Sequence, residues 1–260
     1  MKSTTGSSIF WAISDVLVMT KRGLLRYIRI PQLLVFSTIQ PVMFLLLFAY
    51  VFGGAISTPK GNYLDFLVPG ILVQTIIFGS TATGVGLAQD LSTGMTDRFH
   101  SLPMARSALL AGRIISDTTR NLFVLILMVV VGMFLGFRFQ DGWLNAVAAL
   151  ILILSTGVVF SWISAYIGLA VKDPETVQVA GTIWIFPLVF ASSIFVPVKT
   201  MPDFLQVLAE HSPITYVVNT VRALMIGGDI SGSLGPALIW MVALATIFSI
   251  LAVRLYQRTT

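Results

Sequence analysis

LNAVAALILILSTGVVFSWISAYIGLAV, residues 144–171, holds no Asp, Glu, Lys or Arg from end to end. A helix needs about 20 apolar residues to cross the ~30 Å hydrocarbon core of a bilayer, and this run exceeds that length. A helix on the surface of a soluble protein keeps a charged or polar stripe toward water; this one has no charge to offer. Five further long, mostly apolar stretches lie on either side of it: Leu33 to Phe52, Phe66 to Ala88, Ile114 to Phe137, Val177 to Val196 and Pro236 to Leu255. The reading is an all-α polytopic membrane protein with six transmembrane helices.

Composition agrees. Of 260 residues, 56% are hydrophobic and 10% charged, where a soluble domain carries about 25% charged residues. The mean hydropathy is +0.91. Such a chain lacks the polar surface that water demands, whereas lipid tails meet apolar side chains directly. With no cysteine, disulfides and thiolate metal sites are excluded. The net charge of +5 points to the membrane surface and not to nucleic acid, because the basic residues sit between the apolar spans.

Their distribution sets the expected orientation. With a cytoplasmic N-terminus, the inner side holds Lys2, Lys21, Arg22, Arg26, Arg29, Arg98, Arg106, Arg113, Lys172, Arg254 and Arg258, and Arg120 snorkels inward from span three. The outer side holds Lys60, Arg138, Lys199 and Arg222. Twelve against four places both termini in the cytoplasm.

Two segments are apolar without spanning. Residues 1–30, within the cytoplasmic and interfacial segment 1–32, do not have the order of a cleavable signal, since the basic cluster comes late and runs straight into span one. From Phe10 to Arg29 the pattern is two-faced, with Phe10, Ile13, Leu17, Leu24 and Ile28 on one side and Asp15, Arg22, Arg26 and Arg29 on the other. That predicts an interfacial helix with its cations toward lipid headgroups. Residues 197–235 hold two short apolar runs divided at Ser212-Pro213 and stopped at Gly227-Gly228, the pattern of re-entrant helices on the outer side. No repeat or linker divides the chain, so residues 1–260 form one membrane domain.

No P-loop, His-Glu-x-x-His or Gly-x-Ser-x-Gly is present, and His100 and His211 fall on opposite sides of the membrane under this topology. No catalytic, cofactor or metal site is expected. Within the spans, Asp117 and Arg120 form an i, i+3 couple able to pair on one helical face. They read as a neutralised pair near the headgroups, or as a contact to span one, a neighbouring subunit or a charged substrate group. Ion-coupled carriers place a carboxylate or an unwound site at mid-membrane; this chain has no carboxylate there, so its energy source lies elsewhere. Gln40-Pro41, Pro69-Gly70 and Pro187 are helix-breaking sites that invite kinks. Gly79, Gly84 and Gly86 give span two a small-residue stripe suited to close helix packing. Residues 89–113 form the longest inner polar insertion, longer than two helices need for a connection, and suit docking of a cytoplasmic partner.

Several stretches resemble a known family. DRFHSLPMARSALLAGR (Asp97 to Arg113) resembles the segment between spans two and three of ABC-2 type permeases, most of all the daunorubicin-resistance branch of drug exporters. GFRFQDG (Gly136 to Gly142), KDPETVQ (Lys172 to Gln178) and VPVKTMPDFLQVLAEHSPITYVVNTVRALMIGG (Val196 to Gly228) resemble the loops of that branch in the same order. The resemblance implies an ABC-2 type exporter fold and a half-transporter in a bacterial plasma membrane. In it a second permease subunit, identical or not, and two copies of a separate ATPase complete the complex, with ATP and Mg bound on the ATPase. It places Asp97, Arg98, Phe99, His100, Ser101, Leu102 and Pro103 in or near the coupling loop that transmits ATPase closure, and matches residues 10–29 to the family's N-terminal connecting helix. The implied cargo is a hydrophobic or amphipathic compound such as a drug, an antibiotic or a lipid-like molecule. A lipid or lipid-linked glycan exporter, an ion-coupled carrier and a non-transporting membrane scaffold stand as the alternatives.

Overall fold

The computed structural model describes residues 5–53, 62–94 and 106–259. Among these, regular structure is helical throughout: α1 (Thr5–Arg29), α2 (Pro31–Val51), α3 (Tyr63–Ser92), α4 (Arg106–Phe134), α5 (Gly142–Val171), α6 (Pro174–Phe190), a 3-10 turn (Val198–Thr200), α7 (Asp203–Glu210), α8 (Pro213–Ile226) and α9 (Ser231–Thr259). Five of them are long and apolar enough to cross a membrane, over Leu34–Val51, Tyr63–Ser92, Leu109–Phe134, Gly142–Val171 and Ser231–Arg258.

The helix expected over 177–196 is shorter than predicted. α6 has 17 residues, about 25 Å at 1.5 Å per residue. Pro187 lies one turn from its end, and the Ala191 N–H closes that turn on the Pro187 carbonyl at 2.8 Å. The chain then continues as turns in which Ser192, Ser193, Ile194 and Phe195 are all buried. Non-helical backbone survives in a membrane protein only when protein surrounds it, and this burial meets that condition. Pro41 and Pro69, by contrast, lie inside unbroken helices.

α3 is the axis of the bundle. Every residue from Phe66 to Ile77 is buried, and α2, α4, α5, α6 and α8 all pack against it. Its closest neighbour is α5. A Cβ added at Gly84 would strike the Ser164 carbonyl, and one at Gly168 would strike the Gly84 carbonyl. Backbones approach this closely in membranes because small residues permit it, and the resulting van der Waals contact supplies the attraction that a hydrophobic effect cannot.

The helix ends sort into two faces. Leu87 of α3, Leu109 and Leu110 of α4, Ala165 and Leu169 of α5, and Ala252 and Tyr256 of α9 meet Met19 of α1 in one apolar cluster. At the opposite face, the Tyr63 hydroxyl donates to the Phe195 carbonyl at 3.0 Å and the Gln140 N–H to the Met225 carbonyl at 2.9 Å. The two short helices divide at Ser212 as expected. α8 turns Ile214, Val217, Val218, Val221 and Met225 into the core and stops at Gly227, whose φ of +83° favours glycine. α7 leaves Phe204, Val207 and Leu208 exposed.

Candidate functional site

α1 lies alongside α4, both running in the same direction. The Thr20 hydroxyl reaches the Gly112 carbonyl at 3.4 Å, Gly23 packs on Ser116, and the Tyr27 hydroxyl donates to Asp117 Oδ1 at 2.5 Å. Asp117 is fully buried. Its second oxygen accepts from Thr83 Oγ1 of α3 at 2.8 Å and from Arg113 Nε at 3.1 Å. A buried carboxylate is tolerable only when paired and hydrogen-bonded, and three helices supply the partners. Burial pushes the Tyr27 phenol up to about 12, so it remains a donor at physiological pH.

The ion pair expected between Asp117 and Arg120 forms instead between Asp117 and Arg113, at i, i+4 spacing. The reason lies in where α4 begins. It starts at Arg106, eight residues before the expected start of span three, so Arg113 sits inside the helix one turn from Asp117. Arg120 turns to α3: its Nη2 donates to the Gly79 carbonyl at 2.5 Å and to Asn121 Oδ1 at 2.8 Å, and its guanidinium lies 5.5 Å from the Tyr27 ring centre.

Arg113 also approaches Asp90 at 3.8 Å, and Arg22 of α1 reaches the same carboxylate at 3.5 Å. Arg22, Asp90, Arg113, Asp117 and Tyr27 therefore form one chain of contacts through α1, α3 and α4. Lys21, Arg26 and Arg29 border a cavity of about 540 Å³ next to it, between α1 and the facing ends of α3 and α4. The loop predicted to contact an ATPase, Asp97, Arg98, Phe99, His100, Ser101, Leu102 and Pro103, lies outside the described residues. Its two supports, the last turns of α3 and the first turns of α4, are the helices that Asp90 and Arg113 bind together.

At the other face, Arg222 of α8 has polar partners on three sides. It donates to the Phe66 carbonyl at 3.0 and 3.1 Å, to the Ser193 carbonyl at 2.9 Å and to Asn219 Oδ1 at 3.0 Å, with its guanidinium 3.7 Å above the Phe66 ring. It clamps α8 to the start of α3 and to the buried turn after α6. Between α2, α3, α4 and α6 there is a further cleft of about 200 Å³, lined by Gln40, Phe44, Gln74, Phe78, Arg120 and Gln178 among others.

A family model described as "ABC-2 type transporter" matches residues 14–226, from the middle of α1 to the end of α8. The chain belongs to the ABC-2 type transporter family. It is 34% identical to the daunorubicin resistance ABC transporter permease protein DrrB1 of Streptomyces coeruleorubidus, over 95% of this chain and 87% of that protein. It is 24% identical to the probable doxorubicin resistance ABC transporter permease protein DrrC of Mycobacterium tuberculosis, over 95% and 90%, and 28% identical to the putative transport permease ycf38 of Cyanophora paradoxa, over 86% and 78%. As an ABC-2 permease it is a membrane subunit whose ATPase resides on a separate chain.

Within this ABC-2 permease, the sequence singled out Asp117 and Arg120 because charge is costly in a span. It missed Tyr27, Thr83, Asp90 and Arg113. Arg113 was legible in principle: Arg113-x-x-x-Asp117 is an i, i+4 pair. Tyr27 and Asp90 carried no local signal, because their partners lie 90 and 23 positions away.

Proposed function

We propose that this permease is the membrane half of an ATP-driven exporter that moves a hydrophobic or amphipathic compound, a drug or antibiotic, out of a bacterial cytoplasm. The observation that carries the reading is the family match joined to the 34% identity with a daunorubicin resistance permease over nearly the whole of both chains. In this reading two permease subunits, equal or different, assemble with two ATPase subunits, which bind ATP and Mg. α6 with its buried turn counts as the sixth crossing, and α7 with α8 forms the outer re-entrant region. The face bearing the ends of α3, α5 and α9 is cytoplasmic, because Lys21, Arg22, Arg26, Arg29, Arg113, Lys172, Arg254 and Arg258 gather toward it.

Coupling then has a physical route. ATPase closure pushes on residues 97–103, and the contacts of Asp90 and Arg113 carry that displacement into α3, α4 and α1 together instead of bending one helix. The arrangement of Asp117 speaks against its serving an ion-coupled carrier: both its oxygens are committed to protein donors, which leaves this carboxylate no open position for a proton or sodium in transit. The experiment is purification of the tagged full chain in mild detergent. An ATPase subunit with a P-loop is expected to accompany it; a stable assembly without any nucleotide-binding chain would sink the reading.

A further inference from the structure

The cavity between α1 and the facing ends of α3 and α4 is lined by five cations and one carboxylate: Lys21, Arg22, Arg26, Arg29 and Arg113 against Asp90. Asp90 is already shared, by Arg22 at 3.5 Å and Arg113 at 3.8 Å. Among the described residues, the side chains of Lys21, Arg26 and Arg29 form no ion pair and no hydrogen bond. Arg22, Arg26 and Arg29 follow one another at i, i+4 and i+7, so they line one face of α1 over about 10 Å. Like charges so spaced repel, and the cavity wall holds no second acidic side chain among the described residues to offset them.

Depth identifies the ligand. The apolar stretch of α4 that can cross a membrane begins at Leu109, that of α3 ends at Ser92, and that of α2 begins at Leu34. The cavity has Leu109, Asp90 and Ile30 in its wall, so it lies where hydrocarbon gives way to head groups. Val18, Leu25 and Ile30 are exposed in the same wall. A water-borne anion gains nothing from that apolar surface. A lipid does, because its chains cover it while its head meets the cations.

We propose that this cavity binds one anionic phospholipid, its phosphodiester held by Arg26 and Arg29 with Lys21 beside them, and the start of its acyl chains laid on Val18, Leu25 and Ile30. Arginine suits the task because its planar fork takes two phosphate oxygens at once. The volume, about 540 Å³, falls within the ~300–1,000 Å³ range of small-ligand sites. It takes the head group and leaves the rest of the chains in the bilayer. A zwitterionic lipid carries the same phosphate but brings its own ammonium into a cationic cavity, and binds more weakly. The bound lipid offsets the repulsion along α1 and so fastens that helix to α3 and α4 beside the Arg22, Asp90 and Arg113 contact. This is a saturable site for one molecule, distinct from the general pull of a basic face toward an anionic leaflet, and it stands whether or not the chain exports a drug.

The test uses the full chain with its ATPase partner in a neutral detergent. Phosphatidylglycerol and phosphatidylcholine of the same acyl chains, each with a pyrene at the chain end, are titrated in, and energy transfer from tryptophan is read. Saturation at one phosphatidylglycerol per permease is expected, at least about tenfold tighter than phosphatidylcholine. Arg26→Gln with Arg29→Gln weakens it about tenfold or more, since each cation near an anionic membrane surface contributes about fivefold. If that double variant fails to assemble, Lys21→Gln supplies the comparison with a loss of about fivefold. Arg254→Gln with Arg258→Gln removes the same charge from the exposed inner end of α9, outside the cavity, and changes the affinity by less than about twofold. Equal losses in the two double variants would reveal a diffuse surface charge and overturn the site. Equal affinity for the two lipids would also overturn it, as when an acidic face of the ATPase fills the cavity. sn-Glycerol 3-phosphate, a head without chains, is expected to displace the lipid only at a concentration about a hundredfold higher, the worth of about four buried methylene groups. Displacement at equal concentration would assign the cavity to a water-borne phosphate and refute the lipid.

Discussion

The Tyr27 hydroxyl donates to Asp117 Oδ1 at 2.5 Å, across 90 positions of sequence. That bond joins the amphipathic helix before the first span to the most deeply buried charge in α4. A hydrogen bond to a charged group contributes about 1.5–3 kcal/mol. Tyr27→Phe therefore lowers the unfolding midpoint in nanodiscs and raises amide exchange in α1. Asp117→Asn does more, because Arg113 is left beside a neutral amide; breaking a buried pair costs about 3–5 kcal/mol. An unchanged midpoint in both variants would show that α1 is held by its apolar contacts alone.

Arg222 satisfies the carbonyls of Phe66 and Ser193 with one planar group stacked on the Phe66 ring. Lysine has no fork and no plane to reproduce this. Arg222→Lys is expected to destabilise nearly as much as Arg222→Met, with protease sensitivity appearing near residues 193–203. Full stability of the lysine variant would mean that charge alone suffices.

The α3–α5 crossing depends on two glycines whose added Cβ atoms would meet backbone. Gly84→Val and Gly168→Val each force the helices apart along their length. Membrane-inserted but misassembled protein is expected, read as loss of a monodisperse peak in size-exclusion chromatography. A well-behaved Gly168→Val protein would refute the closeness of this contact.

Asp173 caps α6. Its carboxylate accepts from the Thr176 hydroxyl at 2.6 Å and the Thr176 N–H at 2.8 Å, and these bonds hold it below the usual carboxylate range. With the folded pKa lowered, the stabilisation is complete above the unfolded value of about 3.9 and is lost as pH falls through the folded one. Amide protection in the first turn of α6 is expected to fall in that acid window in the wild type and to be low and pH-independent in Asp173→Ala. Matching profiles in the two proteins would contradict the cap.

The membrane class and the division of residues 197–235 were readable because each rests on local pattern. Uncharged runs such as 144–171 need no partner to identify, and Ser212-Pro213 with Gly227-Gly228 mark helix ends by backbone chemistry alone. Two features resisted. The fifth predicted span reads as apolar to Val196, but hydropathy does not distinguish a helix from a buried turn, so the end of α6 at Phe190 was invisible. The start of α4 at Arg106 was hidden because Arg113 and Ser116 look like a solvated loop until Asp90, Asp117 and the α1 surface are seen to receive them. Because α4 begins at Arg106, Arg113 lies inside the helix one turn before Asp117 and takes the place that spacing alone assigns to Arg120.

The central claim is ATP-driven export through a separate ATPase, and reconstitution tests it most directly. The full chain and its co-purifying ATPase are placed in proteoliposomes, and daunorubicin movement is followed by fluorescence with ATP and Mg, and then with a proton or sodium gradient alone. The account predicts transport that needs ATP, ignores the gradient, and falls when Arg98 or Pro103 is replaced while the protein still inserts. Transport driven by the gradient without ATP, or full activity in the Arg98 and Pro103 variants, would contradict it.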